Sequence, residues 1–253
     1  MLLAANAGNT HIAVGVFRGA DLVAHWRLSS RTHRTADEFY LALRALLSDA
    51  GLEIRSAVVC SVVPQLTEAV GGGVAKLVGH GPLHVSSRID LPVTLAIDDP
   101  SEIGGDLIAN AAGGYALTSG ACVVVDFGTA LSFTAVDSAG AIVGVAIAPG
   151  VGSGVDGLVG NTAALPMVDL AWTDTYLGRN TAVSLRAGIM HGYVGLVNEI
   201  ARGMANEMAC EPIVIATGGH SSLVAPHCEA VARTEPWLTL QGLRSIAEYG
   251  QST

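Results

Sequence analysis

Two stretches decide the fold: Leu2–Phe17, LLAANAGNTHIAVGVF, and Ala121–Val136, ACVVVDFGTALSFTAV. The first reads as a strand (Leu2–Ala5), a glycine turn at Ala7-Gly8-Asn9 and a second strand (Ile12–Phe17). Arg18-Gly19-Ala20 then turns the chain into a third strand, Asp21–Leu28. The second stretch repeats this plan. Ala121–Val125 is a β-branched strand, Asp126-Phe127-Gly128-Thr129 a turn, and Ser132–Asp137 a returning strand. Ser138-Ala139-Gly140 leads into a third strand, Ala141–Ala148. The order of elements recurs, and not only the composition, so chance repetition in a glycine-rich chain is set aside.

The segments between the repeats carry helix and strand signals. Thr35-Ala36-Asp37-Glu38 has the form of a capping box, followed by apolar Phe39, Leu41, Leu43, Leu46 and Leu47. Ala57–Val63 is a continuous apolar run that reads as a buried strand, ended by Pro64 and followed by a helix from about Leu66 to Val78. Alternating strands and helices predict α/β layers. The expected architecture is two lobes, residues 1–117 and 118–253, on a duplicated β-β-β-α core. That plan sets two similar glycine turns opposite each other across a cleft.

Composition narrows the chemistry. Of 253 residues, 31 are glycine, about 12% against a usual share of about 7%. Thirteen Lys and Arg face 22 Asp and Glu, a net charge of −9, and charged residues are only 14% of the chain while half is apolar. Such a chain is neither disordered nor suited to electrostatic nucleic-acid binding. Anionic ligands would have to be held by backbone amides, metal ions or helix ends. Cys60, Cys122, Cys210 and Cys228 form no CxxC pattern, and three of them sit in or beside apolar runs that suggest buried reduced thiols. The start lacks a positively charged leader, and no run of about 18 residues is apolar without Gly, Pro or charge. The expectation is a cytoplasmic protein with no membrane span.

A turn between strands can hold phosphate when glycine lets the backbone approach and a hydroxyl or amide points inward. Asn6-Ala7-Gly8-Asn9-Thr10 and Asp126-Phe127-Gly128-Thr129 both supply these groups. Either turn alone is ordinary, since Asx and Gly are common turn formers. As a pair at matching points of two lobes they favour a nucleotide cleft. Ala216-Thr217-Gly218-Gly219, after the strand Ile213-Val214-Ile215, adds two glycines against which a flat nucleoside can lie.

These residues resemble the type III pantothenate kinase family of the actin-like ATPase superfamily. The resemblance runs through GNT (Gly8–Thr10), HWR (His25–Arg27), RTADE (Arg34–Glu38), SVVP (Ser61–Pro64), DDPSEIGGD (Asp98–Asp106) and VVDFGTA (Val124–Ala130). It continues through IAPG (Ile147–Gly150), GRNT (Gly178–Thr181), GYVGLV (Gly192–Val197), ATGG (Ala216–Gly219) and LTLQGL (Leu238–Leu243), and so covers nearly the whole chain. It implies an actin-like, ribonuclease-H-like ATPase fold and a dimer that phosphorylates pantothenate with ATP and Mg²⁺ in coenzyme A biosynthesis. A monovalent cation, K⁺ or NH₄⁺, is also implied.

By that resemblance, Asn6, Ala7, Gly8, Asn9, Thr10, His11, Ile12 and Ala13 form the first phosphate loop over ATP. Asp106 is the general base, within a substrate segment Gly104-Gly105-Asp106-Leu107; spacing alone would leave it a solvated loop carboxylate. Asp126 binds the monovalent cation, Thr129 contacts the ATP phosphates, and Thr181 contacts pantothenate in the other subunit's site. The chain also departs from the family pattern. Asn6 stands where the family has aspartate and Leu107 where it has arginine, and no acidic residue follows GRNT in Ala182-Val183-Ser184. His220 and Asn198 are milder changes. Asparagine brings no negative charge to a cation, and leucine cannot pair with a carboxylate. Three readings stay open: a working kinase, as homodimer or heterodimer; a supporting subunit that completes a paralogue's site; or a kinase with a less acidic acceptor.

Overall fold

The computed structural model describes residues 1–30 and 33–250. The chain folds as two compact units, one of Met1–Leu117 together with the segment that begins at Leu238, the other Thr118–Trp237. The C-terminal helix, grouped by sequence with the second lobe, thus packs in the first unit; residues 251–253 lie outside the described residues.

The first unit opens with β1 (Leu2–Ala7), β2 (His11–Arg18) and β3 (Asp21–Ser29), followed by α1 (Ala36–Asp49), β4 (Ser56–Ser61) and α2 (Pro64–Val78). Two short strands, β5 (Leu83–His84) and β6 (Thr94–Leu95), lead to α3 (Gly105–Thr118). The Thr35 capping box is present: its hydroxyl accepts from Glu38 N at 3.2 Å, and the Glu38 carboxylate accepts from Thr35 N at 2.7 Å. Pro64 does more than end a strand. Its fixed φ suits the first helical position, so α2 begins there rather than near Leu66.

The second unit holds β7 (Cys122–Phe127), β8 (Ala130–Val136), β9 (Ala141–Pro149), α4 (Val151–Gly160) and the long α5 (Thr181–Met208). After these come β10 (Ile213–Thr217), α6 (Ser221–Val224), a 3-10 turn (Ala225–His227) and β11 (Arg233–Thr234). The last helix, α7 (Leu238–Tyr249), returns to the first unit.

Strand order makes the duplication explicit. The first sheet runs β3-β2-β1-β4-β5, and the second unit's strands run β9-β8-β7-β10-β11. In each, the first strand pairs antiparallel with its hairpin partner and parallel with the strand that follows the crossover. Asn6 and Asp126 occupy equivalent places near the end of the central strand. Asn6 lies opposite Ala13 and Cys60, and Asp126 opposite Ser132 and Thr217. The strands run two residues further than their sequence suggests. Asn6-Ala7 and Asp126-Phe127 belong to β1 and β7, and the tight turns are left to Gly8-Asn9-Thr10 and Gly128-Thr129. The ladder bonds on both sides of a central strand outweigh the turn preference of Asn and Asp.

The central strands are buried on both faces, and one face of each sheet carries a large apolar cluster. In the first unit Leu3, Ala5 and Ala7 of β1 and Ala57 and Val59 of β4 join Phe39, Leu43, Leu66 and Val70 of α1 and α2. In the second, Val123, Val125 and Phe127 of β7 and Val214 and Ala216 of β10 meet Met190, Val197 and Ala201 of α5. Cys60, Cys122 and Cys228 are buried and Cys210 is exposed. Among the described residues no helix is long and apolar enough to cross a membrane.

Helices α3 and α7 cross backbone to backbone. A side chain on Gly242 would run into the Ala109 carbonyl, and one on Gly113 would lie 2.8 Å from the Leu238 carbonyl oxygen. Nearby, Thr239 Oγ1 donates to the buried Asn110 Oδ1 at 2.7 Å. Because the obstacle is backbone, it cannot rotate away. Gly242→Ala is therefore expected to cost about 3 kcal/mol, the upper end for an overpacked core, read as a lower urea midpoint.

Candidate active site

The alternation along β1 and β4 sends one set of side chains into the core and leaves Asn6 and Cys60, side by side in register, on the opposite face. The start of α3 packs on that face: a Cβ on Gly105 would lie 2.8 Å from Cys60 Sγ and 3.0 Å from the Val85 carbonyl oxygen. Asp106 is thereby placed in the first turn of α3, where Leu107 N donates to its Oδ1 at 2.9 Å. Gly104 is equally constrained, since a Cβ there would sit 2.6 Å from Asp106 Oδ1.

Burial sets the electrostatics. It pushes the Asp106 carboxyl above the ordinary aspartate range, opposed by hydrogen bonds from the Leu107 amide and its own. The Cys60 thiol is held strongly neutral, first by burial and then by the Asp106 charge. Asp106 is no solvated loop carboxylate, as its spacing alone would suggest. It is a desolvated group whose proton affinity is raised, the environment that tunes a carboxylate toward base catalysis.

In the β1–β2 turn Gly8 N donates to the His11 carbonyl at 3.1 Å, while Asn9, Thr10 and His11 are exposed. The side chains of Ala7 and Ile12 are buried in the core, so only their backbone is available to a ligand. Ser30 Oγ donates to the Gly8 carbonyl at 2.6 Å and braces the turn from β3's end. Asn6 Oδ1 is enclosed and makes no hydrogen bond. A buried acceptor without a partner is costly, and here it sits at a strand end beside a glycine turn.

The second unit follows the same face rule. Asp126 lies opposite the core side of β7, beside Thr217 of β10. Gly218 adopts φ +91°, and a Cβ there would collide with Asp126 Oδ1 and lie 2.7 Å from the Phe127 backbone. His220 N donates to the Phe127 carbonyl at 3.2 Å and Ser221 Oγ to the Gly218 carbonyl at 2.7 Å, fastening the ATGG turn to the end of β7. Thr129 is exposed at the tip of the β7–β8 turn. Asp126 and Gly218 are thus brought together, with Thr129 in the turn that follows β7.

Thr181 is the first residue of α5. Asn180 Oδ1 caps that helix by accepting from Val183 N at 3.0 Å, and Gly178 packs directly on Ser184. The preceding loop is held by aromatic contacts that no sequence motif marks. Trp172 stacks on His227 with centroids 3.4 Å apart and meets His191 edge-on at 4.9 Å. Tyr176 stacks on His191 at 3.7 Å, and Arg186 Nε donates to the Asp169 carbonyl at 3.0 Å. Scattered histidines give no period to detect, so only the fold gathers them.

Comparison with known proteins decides the family. A family model described as type III pantothenate kinase matches residues 2–203. A type III pantothenate kinase of Moorella thermoacetica is 41% identical over 251 residues, covering 98% of this chain and 99% of that protein. The chain belongs to the type III pantothenate kinase family. A second member, from Geobacter sulfurreducens, is 40% identical over 98% of both chains. Among solved structures, the activator of 2-hydroxyisocaproyl-CoA dehydratase from Clostridium difficile aligns with a TM-score of 0.56 at 12% identity, over 99% of this chain and 96% of that one. That likeness is one of fold alone: two α/β units, each built on a mixed sheet.

The stack around Trp172 gives a direct test of how the loop before Thr181 is held. Trp172→Ala removes two ring contacts, each worth about 0.5–1.5 kcal/mol beyond buried area. The expected outcome is faster limited proteolysis within residues 161–180, with the cores of both units still protected.

Proposed function

We propose that this chain transfers the γ-phosphoryl group of ATP to the primary hydroxyl of pantothenate, the first step of coenzyme A biosynthesis. The observation that carries the reading is the partly buried Asp106 in the first turn of α3, fixed by the packing of Gly105 on Cys60 and Val85; that burial raises its proton affinity. Ionised Asp106 accepts the hydroxyl proton as that oxygen bonds to the γ-phosphorus. The bond from phosphorus to the β–γ bridging oxygen breaks, and ADP leaves. Little covalent work falls to the protein, so positioning and charge neutralisation dominate.

The remaining roles fall to the turns and strand ends of each unit. The backbone of the Asn6–Ala13 segment approaches ATP, and Thr129 contacts its phosphates. Gly104, Gly105 and Leu107 frame the acceptor beside the base. Asp126 suits a monovalent cation, K⁺ or NH₄⁺: one carboxylate lies against glycine backbone in a niche that a Cβ would fill, with hard oxygen donors. Mg²⁺, bound mainly through substrate phosphates and water, would shield phosphate charge. We place the enzyme in the cytoplasm as a dimer. Tyr176 and Leu177, 76% and 83% exposed just before Thr181, provide apolar surface for a second subunit whose acceptor Thr181 contacts.

Asn6 and Leu107 support a second reading, in which the chain completes the site of a paralogue with Asp and Arg at these positions. Under that reading Asn6→Asp with Leu107→Arg converts an inert chain into an active one. Under the first reading the purified chain turns over without them.

Asp106→Asn is expected to lower kcat by at least about 10²-fold while ATP binding is retained. The sign of the pH dependence is also set. A base must be ionised, so activity falls as pH drops through the Asp106 pKa. Burial raises that pKa, so the acid limb of kcat/KM should lie above the ordinary aspartate value of about 3.9 and be absent from the residual activity of Asp106→Asn.

A further inference from the structure

We propose that Ser153 and Tyr193 are positioning residues that hold the Gly128-Thr129 turn in place for the phosphates of ATP. The inference rests on the reading that Thr129 contacts those phosphates, and it adds two side chains from other elements of the second unit.

The Thr129 carbonyl accepts two hydrogen bonds, from Gly150 N at 3.1 Å and from Ser153 Oγ at 2.7 Å. A carbonyl oxygen has two lone pairs, so both are used. Gly150 is the residue before α4 and Ser153 lies in that helix's first turn, so the turn is tied to one short segment. Tyr193, from α5, latches that segment. Its hydroxyl lies 3.0 Å from both the Pro149 and Gly150 carbonyl oxygens, shared between them as donor.

Two glycines make the latch possible. A Cβ on Gly150 would collide with the carbonyl oxygens of Gly128 and Thr129, and one on Gly154 would sit 2.5 Å from Tyr193 Oη. The chain of contacts therefore runs from α5 through Tyr193 to Gly150, and from Gly150 and Ser153 to Thr129. Nothing in the phosphoryl-transfer step itself uses either hydroxyl. Their consequence lies in where the turn sits, and a misplacement of about 1 Å at a reacting group can cost roughly 10²-fold in rate.

The test measures ATP·Mg²⁺ binding by calorimetry and both KM values for the full chain. Each lost hydrogen bond is worth about 0.5–1.5 kcal/mol, so Ser153→Ala and Tyr193→Phe should each weaken ATP binding roughly three- to tenfold. KM for pantothenate should not change, and Ser153→Thr, which keeps the hydroxyl, should restore ATP binding. General destabilisation would not move one KM and spare the other. If Tyr193→Phe does not fold, the exposed Ser153 pair decides the matter. ATP binding at the parent level in Ser153→Ala, or equal rises in both KM values, overturns the proposal. Thr129→Ala separates the two claims. If it weakens ATP binding while the Ser153 and Tyr193 variants do not, the positioning role fails and the Thr129 reading stands. If Thr129→Ala binds ATP as the parent does, the underlying reading fails and the positioning role with it.

Discussion

Each sheet is organised by one constraint, a parallel pair at its centre. Parallel neighbours cannot be joined by a hairpin, so β1 reaches β4, and β7 reaches β10, only through a crossover that includes a helix. The hairpin partners β2 and β8 take the other side of each central strand. Both central strands and the parallel strands beside them therefore end at the same edge of their sheet. The turns that follow β1, β7 and β10 carry Gly8-Asn9-Thr10, Gly128-Thr129 and Gly218-Gly219. Open α/β sheets bind ligands at the carboxyl ends of their strands for this reason.

A chain with a net charge of −9 meets an anionic nucleotide with few cations of its own. Its answer is steric as much as electrostatic. Glycine at 218 lets a carboxylate press against backbone in the left-handed region, and glycine at 150 lets a helix start touch the Gly128-Thr129 turn. The duplication is exact in strand order yet chemically uneven. The second unit ends its central strand in a carboxylate, Asp126, and the first ends it in an amide, Asn6. Negative charge on the first unit's face is concentrated instead in Asp106, which burial biases toward holding a proton.

Much of this was legible in the sequence because it is local. The repeated strand-turn-strand order, the Thr35 capping box and the glycine turns depend on neighbours a few residues apart. The strand ends at Asn6-Ala7 and Asp126-Phe127 are not legible, because ladder bonds from both sides prolong a central strand past turn-forming residues. The return of α7 to the first unit has no local signal, since it rests on Gly242 meeting Ala109 across more than a hundred residues. The burial of Asp106 was hidden for the same reason: Cys60 and Gly105 touch only once β4 and α3 are packed. The ring stack of Trp172, Tyr176, His191 and His227 belongs to the same class.

We propose that this chain, with Asn6 and Leu107 as they stand, is a complete kinase. The most direct measurement incubates the purified chain alone with ATP, Mg²⁺, K⁺ and pantothenate, and follows both ADP and the phosphorylated acceptor by mass spectrometry. The account predicts one 4′-phosphopantothenate formed for each ADP released, over many turnovers. ATP bound without transfer to pantothenate would contradict it.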